Sequence, residues 1–341
     1  MPGNSIGITT TIPAEILLAA GITPVDLNNI FISDPDPGRL VRIAERHGFP
    51  LNTCTWIKGI YGVCLEQHID TVIGVTTGDC SNTLMLMEVL RLKGIRTIHF
   101  AYPDTPDKAL MQDALETLAE NLGTDTGKAE LVRQQLSPVR ALAEELDRLT
   151  WEDGLASGFE NHYWLVSSSD FNRDPEEYAT ELKMLIEACH TRQPYPPDMI
   201  RLAFCGVPSV FGKELYPFLE ANGARVVFNE IQRQFAMPYA VSSLAEQYSR
   251  YTYPYPTDFR INDIATECSR RRVDGIIHYV QAFCHRGIGD IIFRQKLKYP
   301  ILTLEGNTEF GLSQHLQTRL EAYIDMIKQI KQSPRYHKNT A

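Results

Sequence analysis

Along this chain, short apolar runs rich in β-branched residues alternate with stretches in which apolar positions return every three to four residues. That is the pattern of strands buried on both faces with helices packed over them. The strand-like runs fall at 71–75, 95–101, 200–205, 224–229, 275–281 and 301–305. Helical periodicity predicts helices over 82–93, 212–222, 258–272, 286–298 and 313–331. Upstream, Thr11 as N-cap, Pro13 in the first turn and Glu15 completing a capping box predict a helix through 16–20, stopped by Gly21. A second amphipathic stretch, 39–47, ends at 48–50, so Cys54 lies at a helix entrance or in a loop. Residues 104–192 read as mostly helical, and the Pro-rich 193–198 as a linker.

The order of these elements predicts an α/β protein with two Rossmann-like lobes, open parallel sheets and a helical segment between them. The expected boundaries are 1–103 for an N-terminal lobe carrying Cys54 and Cys80, 104–198 for the helical segment and linker, and 199–341 for a C-terminal lobe carrying Cys284. The stretch holding Tyr239, Tyr248, Tyr251, Tyr253 and Tyr255 is too long for an idle connection and reads as a lid or subunit contact. No internal repeat of fixed period and no low-complexity tract stands out.

Composition narrows the function classes. With 341 residues, 43% of them hydrophobic, the chain can bury a large core, and its length suits two domains. Its 33 basic and 42 acidic residues give a net charge of −9, with no stripe of Lys and Arg, which argues against nucleic acid as a partner. No apolar run approaches bilayer length and the N-terminus lacks the layout of a signal peptide, so a cytoplasmic protein without membrane contact is expected. Seven cysteines, an odd number, in a reducing compartment point to burial, metal or redox use rather than disulfides.

Ligands of open α/β sheets collect outside the carboxyl ends of the strands. Cys80 follows strand 71–75, Cys284 follows strand 275–281, and Cys205 closes strand 200–205 before Gly206, Val207 and Pro208. Cys80 and Cys284 can therefore face one cleft between the lobes, with Cys54 entering beside the first sheet. Thiolates suit zinc and iron–sulfur clusters alike, and the paired CxxC knuckles of structural zinc are absent. His99 and His278, inside strands, read as core histidines; His285, next to Cys284, is a candidate for proton transfer. Glu230 ends a strand where a cleft residue would stand, with a helix-cap pair as the plainer account. Ser81 and Asn82 are candidate donors to a bound group, or simple helix caps. The loop 206–212 is a weak phosphate-binding pattern.

The segment from Thr11-Ile12-Pro13-Ala14-Glu15-Ile16 to Ala19-Ala20-Gly21-Ile22-Thr23-Pro24-Val25 resembles the N-terminal signature of the 2-hydroxyacyl-CoA dehydratase and benzoyl-CoA reductase family. Further matches follow in order: Cys54, the 70–79 strand region with Cys80, Gly206-Val207-Pro208 with Gly223-Ala224, and the Cys284 loop leading to Pro300-Ile301-Leu302-Thr303-Leu304-Glu305. The resemblance implies a [4Fe–4S] cluster on Cys54, Cys80 and Cys284, with the fourth iron open. It also implies a homologous partner in a homodimer or heterodimer, an ATP-dependent activator protein, and one-electron, ketyl-radical dehydration or reduction of an acyl-CoA, a lyase or reductase activity. Two alternatives stay open: a double-cubane [8Fe–9S] small-molecule reductase recruiting Cys64, Cys205 and Cys268, or a non-catalytic cluster-bearing partner subunit. Cys189 reads as structural. The chain departs from the family pattern at Thr55, where proline is frequent, and at Asn307, where an acidic residue is frequent.

Overall fold

The computed structural model describes residues 4–333; the outermost residues of the first and last expected segments, 1–3 and 334–341, lie outside the described residues. Strands β1 (Ser5–Ile8), β2 (Thr23–Asp26), β3 (Thr71–Thr77) and β4 (Arg96–Ala101) form a parallel sheet in the order β2-β1-β3-β4. This first lobe carries α1 (Ala14–Ala19), α2 (Leu27–Ser33), α3 (Pro37–Arg46), α4 (Thr55–Glu66) and α5 (Thr83–Leu92). Helices α6 (Lys108–Asn121), α7 (Thr126–Arg148), α8 (Gly158–Ser167) and α9 (Pro175–Cys189) follow. The second lobe has β5 (Ile200–Gly206), β6 (Ala224–Asn229), β7 (Gly275–Gln281) and β8 (Ile301–Gly306), parallel and ordered β6-β5-β7-β8. Its helices are α10 (Gly212–Ala221), α11 (Glu230–Phe235), α12 (Leu244–Arg250), α13 (Thr257–Arg270), α14 (Asp290–Lys296) and α15 (Gln314–Gln332). Among the described residues, no helix is long and apolar enough to cross a membrane.

The two sheets share one topology, and the cysteine loops repeat with it. Cys64 and Cys80 are 16 residues apart, as are Cys268 and Cys284. The first member of each pair sits in the last turn of a helix, and four residues later His68 and Arg272 both adopt φ of 51°. The second member stands three residues beyond the third strand of its sheet: Thr77 to Cys80, and Gln281 to Cys284.

Several expectations change. β1 and β2 escaped the sequence because each is four residues long and carries a Gly or Pro; Pro24 is tolerated because β2 is an edge strand. The capping box at Glu15 does not form. That carboxylate is fully buried, 2.7 Å from Arg140, and accepts bonds from Gln247 and Tyr248. Burial pushes its pKa up, but Arg140 and the hydrogen bonds outweigh it and hold it below the usual range. The Tyr-rich stretch is no lid: Tyr248, Tyr251, Tyr253 and Tyr255 are buried among Ile8, Val75 and Phe100 in the first-lobe core, strapping second-lobe chain onto the first lobe. His99 is exposed on edge strand β4, whereas His278 is buried, stacked on Phe293 and bonded to Asp290.

Candidate active site

Both sheets turn their carboxyl edges toward one cavity of about 110 Å³, more than a single water needs. The ends of β1, β2 and β3 contribute Thr9, Asp26 and Asp79; those of β5, β6 and β7 contribute Val207, Ile231 and Gln281. Cys54, Cys80 and Cys284 all line it, two from the first lobe and one from the second.

Each thiol is presented by a backbone turn. Cys54 is the residue preceding α4, with φ −49° and ψ 131°, and its sulfur accepts from the N–H groups of Trp56 and Ile57. Cys80 follows the turn at Gly78, whose φ of +93° and closeness to Pro254 and Tyr102 leave no room for a side chain. Its sulfur accepts from the Asn82 N–H, and Cys284 likewise from the Arg286 N–H. The same device thus recurs three times, a sulfur bonded by the amide two residues on.

The thiols also feel one another. Burial pushes Cys54 up to about 11 and Cys80 up to about 12; the neighbouring thiols and Asp79 add to both shifts. Cys284 moves up through burial, opposed by its own Arg286 amide and guanidinium. Asp79 is half-buried at the cavity wall, and the desolvation there raises its pKa against the pull of Arg286 and of the Tyr253 hydroxyl, which donates to it at 2.6 Å. Arg286 lies 4.2 Å over the Tyr253 ring and donates to the Gly78 carbonyl at 2.9 Å, tying the Cys284 loop to the Cys80 loop. A second tie joins the two family departures: the Thr55 hydroxyl donates to Asn307 at 3.3 Å.

The remaining candidates sit apart. Cys64 is buried in the packing of α4; Cys205 and Cys268 are buried together beside β5 and α13; none of the three lines the cavity. Cys189 is buried in the helical segment. Glu230 is buried away from the cavity, in a two-bond pair with Arg260 at 2.9 Å, and accepts from the Gly206 N–H at 3.0 Å. His285 lines the adjoining depression with Arg286, its pKa lowered by burial and by that guanidinium. Ser81 is exposed, and Asn82 precedes α5 without a side-chain cap bond.

Sequence reasoning missed Trp56, Thr83 and His162, which line the cavity. The Trp56 Nε1 and Thr83 Oγ1 atoms are buried without a partner in the protein. His162 is held neutral by burial, its pKa pushed down to about 4, and bonds Gln232 at 3.0 Å. Only its distance from the cysteines in sequence concealed His162, whereas Trp56, two residues from Cys54, stood in plain view. Among the described residues, no three His, Cys, Asp or Glu side chains close on a point that would hold a single metal ion.

The family model for 2-hydroxyglutaryl-CoA dehydratase, D-component, matches residues 9–327. No curated protein matches the chain. The match takes in β2 to β8 and all three cavity cysteines, and by it this chain belongs to the 2-hydroxyglutaryl-CoA dehydratase D-component family.

Proposed function

We propose that the chain is a cluster-bearing subunit of a 2-hydroxyacyl-CoA dehydratase-like enzyme, with a [4Fe–4S] cluster on Cys54, Cys80 and Cys284. The observation that carries this reading is the convergence of those three thiols, from two lobes, on one cavity. A single ion draws its sulfur ligands to about 2.3 Å from one point. The three thiols line a cavity of about 110 Å³, space that a polynuclear centre needs and a single ion does not.

When bound, such a cluster supplies a low-potential electron and an open iron for substrate oxygen, the basis of ketyl-radical dehydration or reduction of an acyl-CoA thioester. The chain's own share is placement. The amides of Trp56, Asn82 and Arg286 stabilise thiolate charge. The unspent Trp56 N–H and Thr83 hydroxyl offer donors inside the cavity. Ile32, Ile57, Ile60, Val166 and Phe235 exclude water. His285 is the proposed proton-transfer group from the adjoining depression, Ser81 a surface hydroxyl donor, and Glu230 a residue that positions the Gly206 turn. As a D-component, the chain is proposed to pair with a homologous subunit and to receive its electron from an ATP-dependent activator.

Iron and sulfide quantitation on protein purified without oxygen tests the reading. About four irons per chain are expected, with loss of iron in Cys284→Ala and retention in Cys64→Ala and Cys205→Ala. Stoichiometric zinc without sulfide overturns it, and roughly eight irons, half lost in Cys205→Ala, would establish the double-cubane alternative.

A further inference from the structure

Buried cations are normally paired, because an isolated charge in a low-dielectric interior is costly. Six Lys or Arg side chains are buried among the described residues. Lys58 pairs with Glu45, Arg140 with Glu15, Arg233 with Asp263, Arg260 with Glu230 and Arg271 with Asp147. The sixth, Arg225, forms no ion pair. Its guanidinium donates to the neutral Thr150 carbonyl at 2.8 Å and lies 5.1 Å over the Tyr195 ring. Glu220 is the carboxylate whose charge reaches it, and that group is engaged by the Tyr195 hydroxyl at 2.9 Å.

Arg225 opens onto a broad depression of about 1390 Å³ at the amino ends of β5, β6, β7 and β8, the opposite end of the second sheet from Cys284. Arg201 lines it too, its guanidinium donating to the carbonyls of Arg271 and Trp151 and its backbone N–H to the Asp274 carboxylate. Arg272, Lys296 and Lys298 complete the rim without a carboxylate partner. The acidic residues of the lining are already committed: Glu152 and Asp153 to Arg148, and Asp274 to Lys331. Burial and the charges of Arg225 and Arg272 push the Arg201 pKa down to about 10 against the opposing charge of Asp274, so the cations outweigh that carboxylate. This lies on a chain of net charge −9, so it is a local excess against the overall field.

We propose that this depression binds a polyanion with adjacent phosphates, pyrophosphate or the diphosphate of a nucleotide, between Arg201, Arg225 and Arg272. Planar guanidiniums match phosphate oxygens two at a time, and burial of Arg225 strengthens the attraction. The site is independent of the cysteine cavity and of any cluster.

Titration calorimetry on the full-length chain, with inorganic pyrophosphate in one arm and ADP in the other, tests it. One saturable site is expected, weakened about tenfold or more in Arg201→Gln. The pair Arg272→Gln and Lys298→Gln, both at exposed positions, weakens it without endangering the fold, and Lys93→Gln leaves it unchanged. Tighter binding of ADP assigns a nucleotide, and equal binding assigns the diphosphate alone; either upholds the site. Absence of saturable heat, or binding undiminished in both sets of variants, overturns it.

Discussion

Replacing Glu230 with Gln separates two accounts of a residue that the sequence marks as a cleft candidate. In the structure its carboxylate accepts from Arg260 Nε and Nη2, each at 2.9 Å, and from the Gly206 amide at 3.0 Å, all buried. Gln keeps the volume and one acceptor oxygen but removes the charge that balances Arg260. Hydrogen bonds to charged groups contribute about 1.5–3 kcal/mol each, and truncating one member of a buried pair costs about 3–5 kcal/mol because the other charge stays behind. The expected loss is therefore about 3 kcal/mol. With a urea m-value of about 3 kcal/mol/M for a chain of this size, the unfolding midpoint falls by about 1 M. A double variant, Glu230→Leu with Arg260→Met, removes both charges and is expected to regain more than half of that loss. Intrinsic tryptophan fluorescence follows both transitions. A Glu230→Gln protein as stable as the parent, with full iron and no turnover, would refute the positioning role and make Glu230 a cleft residue.

Two other contacts carry outcomes of their own. Burial and the neighbouring Asp26 push Asp170 up to about 7, against an ordinary value of about 3.9. The folded state then holds this proton more tightly than the unfolded chain. Its contribution to stability is complete below about pH 4 and lost as pH rises toward 7. Asp170→Asn removes that slope, so its urea midpoint changes less than the parent's between pH 5 and pH 8; parallel curves for the two proteins would contradict the assignment. Thr55→Val deletes the bond to Asn307 between the lobes, worth about 1 kcal/mol, and lowers the Tm by about 2 °C. An unchanged Tm would mean that the bond contributes nothing to holding the lobes.

The long parallel strands were legible because burial on both faces writes itself as an unbroken apolar run, as in Val72 to Val75 or Ile276 and Ile277. Strands β1 and β2 were not, because four residues with a Gly or Pro carry too little pattern to exceed the noise of loops. The tyrosines at 248–255 looked like a surface feature. They are buried in the first-lobe core, where the Tyr248 and Tyr253 hydroxyls donate to Glu15, Ile12 and Asp79, each more than 170 positions away in sequence. The equal spacing of Cys64–Cys80 and Cys268–Cys284 is present in the sequence, yet its structural meaning became readable only once both sheets showed the same strand order.

What the sequence determined by itself was local: which of the longer segments are strands or helices, and that Cys80 and Cys284 each follow a strand, where loops gather ligands. Tertiary structure decided which of seven chemically equal thiols face a common space and which are packing. It also decided that Glu230 faces Arg260, and that among the described residues Arg225 alone of the buried cations forms no ion pair. The physical reason is that hydrogen-bonding periodicity is a property of neighbours in sequence. Burial, pairing and charge balance are set by residues that only the fold brings within a few ångströms.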